Sequence, residues 1–189
     1  MEPSIPETAE RIRTMRELCG FTIEEMADAT GLSAGEYERC ESGEVDFSFT
    51  FLYKCADRFG IDMIELLTGS NPRLSGFAVV RGGKGLPIKR RAGFSYSHLA
   101  AVFKNKLAEP FLVTAPFDKR DSLGVIPMST HKGQEFNYVL KGSLRFSHSG
   151  HETVLNEGDS VYYDSGKEHG MVATGGCDCV FLAIVIKEE

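Results

Sequence analysis

The sequence predicts an α + β chain of two domains: five short helices over residues 1–70, then an antiparallel β-barrel or jelly roll over residues 71–189. Three observations carry this reading. Residues 7–69 repeat capped apolar stripes at helical spacing. After Thr68-Gly69-Ser70-Asn71-Pro72 the apolar runs shorten, gain β-branched and aromatic residues, and are punctuated by Gly and Pro. Such runs are many there and helical candidates few, the pattern of an antiparallel barrel or two-sheet fold.

In the first stretch, Ile12, Met15, Leu18 and Cys19 form one stripe, closed by Gly20. Thr22-Ile23-Glu24-Glu25 opens the next helix as a capping box, with a hydroxyl at the cap and a carboxylate three residues on. Ser33-Ala34-Gly35-Glu36 and Asp62-Met63-Ile64-Glu65 repeat the pattern. The short turn Gly31-Leu32 lets the second and third helices cross steeply. Phe51, Leu52, Cys55, Ala56 and Phe59 make the apolar face of the fourth helix.

In the second stretch, strands are expected at residues 77–80, 99–103, 111–115, 124–126, 136–140, 144–147, 153–155, 161–163, 171–173 and 180–186. Residues 81–91, with Gly82-Gly83 and Lys89-Arg90-Arg91, read as an exposed connector or rim.

At 189 residues, 42% hydrophobic and 25% charged, the chain has the composition of an ordinary soluble protein. No apolar run approaches the ~20 residues that span a bilayer, so no membrane partner is expected. Met1-Glu2-Pro3-Ser4 lacks the features of a signal peptide, and a cytoplasmic location follows as the expectation. Five cysteines without zinc-like spacing fit a reducing compartment. Cys19, Cys40 and Cys55 read as small core residues, and Cys177 and Cys179 as a pair on one face of a strand end.

Residues 128–170 hold the chemistry. His131-Lys132-Gly133-Gln134-Glu135 opens this stretch, and Lys167-Glu168-His169 closes it. On an extended strand His131 and Glu135 would stand roughly 13 Å apart, whereas two ligands of one metal come within about 4 Å. The chain must bend between them, and Gly133 tolerates the backbone angles required. Two imidazoles and a carboxylate on one side of an ion suit ferrous iron and similar metals. Iron, zinc, manganese and nickel are not distinguished by the sequence.

His131-x3-Glu135, Gly142, Gly158-Asp159 and His169 resemble the two signature motifs of a cupin barrel. The resemblance implies His131, Glu135 and His169 as ligands of a divalent metal. Ser129 stands where the family usually has a further histidine, which implies three protein ligands rather than four. Ala27, Gly31, Tyr37 and Glu41-Ser42-Gly43 resemble the helix-turn-helix of Cro/repressor-type DNA-binding domains, a likeness running through Leu67. It implies a recognition helix with Ala34, Gly35, Glu36 and Arg39 on its DNA-facing turns. The joint pattern of Ser129-Thr130-His131-x3-Glu135-Phe136 and a single later His169 is also similar to hydroxypropylphosphonate epoxidase. That enzyme joins such a helical domain to a cupin holding non-haem iron.

Charge argues against tight DNA binding. The first seventy residues carry six basic and fifteen acidic side chains, a net of −9 that leaves +3 for the remainder. Non-specific DNA affinity comes from Lys and Arg neutralising phosphates, so the sign is unfavourable. Arg11, Arg13, Arg16 and Arg39 are the candidates for a local basic face.

Three functional readings follow. The first is a transcriptional regulator with DNA and a small molecule as partners, acting as a homodimer or higher homo-oligomer. The second is a metal-dependent oxygenase or epoxidase-like enzyme whose helix-turn-helix no longer reads DNA; no catalytic residue is assigned. The third is a metal-free module holding an apolar ligand. Tyr96, Lys104 and Ser129 are expected near the ligand pocket, and Arg90 and Arg91 either clamp an anion or form an exposed basic loop.

Overall fold

Side-chain caps set where the first helices begin. In the computed structural model, which describes residues 4–70, 76–88 and 93–188, Ser4 caps α1 (Ile5–Cys19) by accepting from Glu7 N. Thr22 and Ser33 form reciprocal boxes with Glu25 and Glu36 at the starts of α2 (Ile23–Thr30) and α3 (Ala34–Glu41). Ser48 caps α4 (Phe49–Phe59), and Asp62 caps α5 (Met63–Thr68) through Ile64 N at 2.8 Å. Such caps each contribute about 1 kcal/mol. The expected junction after residue 70 adjoins residues 71–75, and the Lys89-Arg90-Arg91 loop falls on residues 89–92. Both lie outside the described residues.

The described chain forms two compact units, one helical and one built on strands. Ile12, Met26, Tyr37, Leu52, Cys55, Leu66 and Leu67 are the buried centre of the helical unit. Full burial of side chains of this size stabilises by about 1.5–3 kcal/mol each. Phe51 packs between Phe47 and Tyr37, at ring-centroid distances of 5.6 and 5.9 Å.

The stripe expected on α1 is displaced. Ala9 and Ile12 are buried, but Leu18 is 76% exposed and Cys19 is exposed. The inward position of that last turn belongs to Arg16, whose Nε and Nη2 hold the Glu41 carboxylate at 2.7 and 3.2 Å. Of the three helical cysteines, therefore, only Cys40 and Cys55 are core residues, and burial pushes the Cys55 thiol well up.

The second unit contains two antiparallel sheets. The larger runs β1 (Leu86–Ile88), β2 (Ser95–His98), β3 (Ala108–Ala115), β9 (Cys179–Ile186), β4 (Gln134–Lys141), β7 (Ser160–Asp164), in that order. The smaller runs β6 (His151–Asn156), β5 (Ser143–His148), β8 (His169–Thr174). No hydrogen-bonded ring closes them among the described residues, so the arrangement is two-sheet rather than a continuous barrel. Residues alternate strictly in burial along β3 and β9, with Phe111, Val113, Phe181 and Val185 facing inward.

Three expected strands are absent. Residues 77–80, 99–103 and 124–126 lie outside the named strands, and Phe77, Val102 and Val125 are exposed. No named strand pairs with them, although Ile126 is buried, and apolar composition without a pairing partner does not make a strand. Two strands were not expected: β1, inside the supposed connector, and the polar β2. β1 is an edge strand, the place where Pro87 is tolerated. A short helix, α6 (Lys119–Leu123), precedes the site. Cys177 is exposed outside β9 and Cys179 is buried within it, so the two sulfurs do not share a strand face.

Candidate metal centre

Backbone pairing gathers the three expected ligands. Glu135 points inward from β4, between Val185 on β9 and Tyr163 on β7. His169 opens β8 and is bridged to Ser129 in both directions, at 2.8 and 3.0 Å. His131 N donates to Ser165 O at 2.9 Å, and Ser165 N returns to Gly133 O at 3.2 Å. Between His131 and Glu135 the chain turns at Gly133, with φ +98°. A Cβ there would meet Ile186 O at 2.0 Å, so only glycine lets the turn lie against β9.

One donor atom from each of His131, Glu135 and His169 lies within 4.8 Å of the others, and all three residues are buried. His131 Nε2 is 2.6 Å from Glu135 Oε1, and His169 Nε2 is 3.8 Å from the same oxygen. The imidazoles stand nearly perpendicular, with ring centroids 5.2 Å apart. Each Nδ1 faces a backbone carbonyl, Lys132 O at 3.2 Å and Lys167 O at 2.8 Å. A ring anchored at Nδ1 by a carbonyl turns its Nε2 toward the site. Both Nε2 atoms turn toward the Glu135 carboxylate, a donor set that suits a divalent cation. Ligands about 2.1 Å from one metal are at most about 4.2 Å apart, so the set fits an ion with a small closure.

Electrostatics agree. Burial opposes the charge on Glu135, but the hydrogen bond and charge of His131, the Tyr163 hydroxyl and His169 hold its carboxyl below the usual range. Burial likewise holds His169 below the ordinary histidine value, against the Lys167 carbonyl and Glu135. Both shifts favour the forms that ligate a metal.

Tyr163 and Asn137 were not anticipated. The Tyr163 hydroxyl donates to Glu135 Oε2, and Asn137 Nδ2 donates to the Tyr163 oxygen at 3.2 Å. A signal for Asn137 existed: it is a polar residue two positions from Glu135, on the same strand face. Tyr163 required the β4–β7 register, which no local pattern supplies.

Ser129 is half-buried beside His169, which it pairs with through its backbone. Tyr96 is half-buried on β2 with its ring edge-on to Phe111 at 6.0 Å. Lys104 sits exposed in a bend between β2 and β3, and the strand expected over residues 99–103 does not form. Arg90 and Arg91 lie outside the described residues.

On α3, Ala34 is half-buried, Gly35 is exposed, and Arg39 is 62% exposed with Nε 3.8 Å from Glu44. Glu36 is committed to its cap, accepting from Ser33 N and Ser33 Oγ at 2.9 and 2.6 Å. Two supposed members of a basic face are internal. Arg11 donates to Leu67 O at 2.5 Å, and Arg16 is bound to Glu41. Lys54 donates to Thr30 O at 3.1 Å, and Arg58 lies over the Phe21 ring at 4.1 Å.

Known proteins share this fold. The fold is similar to that of an HTH_3 family transcriptional regulator from Vibrio cholerae, with a TM-score of 0.68 and 20% identity over 97% of each chain. It is also similar to hydroxypropylphosphonic acid epoxidase from S. wedmorenis, with a TM-score of 0.51 and 19% identity over 98% of this chain and 100% of that one. An oxalate-binding protein of Thermotoga maritima is 34% identical over 62 residues, 32% of this chain. The matched region spans 51% of that relative's length. Residues 7–67 match the family model for a helix-turn-helix domain, and residues 123–185 match that for a cupin domain. The chain is a helix-turn-helix domain followed by a cupin domain.

Proposed function

We propose that this protein is a transcriptional regulator, with a DNA-reading domain over residues 1–70 and a ligand-sensing cupin domain over residues 71–189. The sensor holds a divalent metal on His131, Glu135 and His169, and a small oxyanion completes the coordination. The observation that carries this reading is the convergence of two imidazoles and one carboxylate, with one donor atom of each within 4.8 Å of the others. Two histidines and one carboxylate with open positions opposite suit ferrous iron best, with manganese, nickel and zinc as competitors. The local likeness to an oxalate-binding protein supports a small oxyanion as ligand. The metal would supply charge to bind and orient it.

Arg39, with Ala34 and Gly35, forms the reading edge of α3, and Glu36 shapes the helix start. A single cation per recognition helix makes a dimer necessary, since two half-sites bound together compensate for a weak head. The regulator is expected in the cytoplasm. Metal analysis of protein purified without added metal, combined with selection of bound genomic fragments with and without metal, tests the whole reading. Absence of any enriched sequence in either condition overturns it.

A second reading has its own support. The helical domain carries a net −9, and Arg11, Arg16, Lys54 and Arg58 are engaged within it. This favours a metal-dependent oxygenase whose helix-turn-helix is a scaffold. Consumption of dioxygen by the iron-loaded protein, with no enriched DNA, would select it.

A further inference from the structure

The last strand says little about its own register. Every residue of β9, Cys179–Ile186, is apolar, so a slip of two residues, about 7 Å, replaces one apolar side chain by another on both faces. Hydrophobic patterning specifies register only where the two faces differ. Register matters here, because β9 lies between β3 and β4, and Val185 pairs with Glu109 on one side and Glu135 on the other. Just beyond Val185, Ile186 O backs the Gly133 turn that joins His131 to Glu135, and Glu188 N is 3.4 Å from the place of a Gly133 Cβ.

A buried charge stands at that end of the strand, outside the metal centre. Glu109 on β3 is wholly buried. His98 is wholly buried too, and the Ala100 N–H donates to its Nδ1 at 3.0 Å. The His98 Nε2 therefore carries the proton and donates to Glu109 Oε2 at 2.6 Å. Lys106 Nζ, on a side chain 3% exposed, lies 3.8 Å from the same oxygen. Oε1 faces Lys187, the first residue after β9, whose Nζ is 3.1 Å away in a charge contact with an angle too poor for a hydrogen bond. Lys187 N donates to Leu107 O at 2.9 Å and so extends the pairing of β9 with β3.

Buried ion pairs gain little stability over apolar residues of the same volume, and fixing register is their best-attested use. The two features fit each other. A strand with no register signal of its own ends at a lysine, and β3 carries a single acid to receive it. We propose that Glu109, held by His98 and Lys106, locks the register of β9 through Lys187 and thereby aligns the His131–Glu135 turn. This rests on the metal centre argued above and adds the device that sets its geometry. Glu109 and Lys187 are positioning residues, acting on the ligands through β9 and Gly133. A slip of two residues takes Lys187 off Glu109 and removes the Ile186 carbonyl from behind the turn.

The test uses the full-length protein with Lys187→Met, which keeps an unbranched side chain and leaves Glu109 with Lys106 and His98. Amide proton–nitrogen correlation spectra of the metal-free proteins read the register. Lys187→Met should show a second set of signals for β9 and Gly133, and the parent a single set. Chelator competition for cobalt(II) reads the alignment, and affinity should fall by about threefold to thirtyfold in Lys187→Met. Lys187→Arg should restore single signals and parental affinity. A role in stability alone would lower the melting temperature of Lys187→Met and leave single signals with parental cobalt affinity, which overturns the proposal. Either signature without the other overturns it, as does a Lys187→Arg protein that behaves like Lys187→Met. Glu109→Gln keeps an acceptor for His98 without a charge for Lys187, and decides by the same two signatures should Lys187→Met fail to fold. A parent that takes up no cobalt removes the metal reading, and the amide spectra alone then decide the register lock.

Discussion

Gly133→Ala isolates the geometric requirement of the centre. The position has φ +98°, and an added Cβ would lie 2.0 Å from Ile186 O, 1.0 Å inside the 3.0 Å limit that real Cβ atoms respect. Two costs follow. A side chain in the left-handed region costs about 1–2 kcal/mol, and relief of the clash adds overpacking of about 1–3 kcal/mol. The obstructing atom is strand backbone, so the start of β4 must move by about 1 Å, whereas metal–ligand distances tolerate about ±0.2 Å. His131 and Glu135 flank the shift, and metal affinity should fall more than about tenfold. Gly150→Ala is the control, since its φ is +80° with nothing within 4 Å of the added atom. It bears the backbone strain without the clash. Chelator competition and thermal denaturation of both variants provide the comparison. Equal stability of the two variants, with parental metal affinity in Gly133→Ala, would refute the reasoning.

Other variants address separate parts of the molecule. Glu135→Gln should lower metal affinity by more than about 100-fold, and Tyr163→Phe, which removes only an outer hydrogen bond, by about 10-fold to 100-fold; elemental analysis after dialysis ranks them. Arg16→Met leaves the buried Glu41 carboxylate without its cation and should destabilise the helical unit by about 3–5 kcal/mol, with most of the loss recovered on adding Glu41→Leu; denaturation followed by circular dichroism reads both. Arg39→Ala should remove most operator affinity. The parent dimer, with two or three phosphate contacts per head, should show a salt slope of roughly −4 to −5; a steep slope that Arg39→Ala leaves intact would place the DNA contacts elsewhere.

What the sequence made legible was local. The boxes at Thr22 and Ser33 span four residues, and so survive in any context that permits a helix. The bend at Gly133 was legible from the mismatch between strand rise and ligand spacing, with no fold assumed. Tyr163 and the polar strand β2 were not legible, because register and neighbouring strands determine them rather than their own composition. Residues 124–126 failed for the converse reason, since no strand pairs with them: Ile126 is buried, but Val125 is 93% exposed. Arg16 shows the limit on helices. Its ion pair with Glu41 joins positions 25 residues apart, and a stripe drawn on α1 alone cannot see it.

The place of β9 in the larger sheet dictates an order of events during synthesis. Both β3 and β4 pair with it, and the Gly133 turn rests against Ile186. On the ribosome, Glu135 therefore waits for roughly 50 further residues before its strand has a neighbour on that side. At about 5–20 residues per second this is roughly 3 to 10 s. Throughout the wait, β3 and β4 present unpaired edges to other chains. The helical domain, held by contacts close in sequence, can fold during the same interval. On the proposed reading, metal capture then comes last, after strand exchange has ceased to be possible, and the ion would act as a seal on a finished cupin domain rather than as a nucleus for its folding.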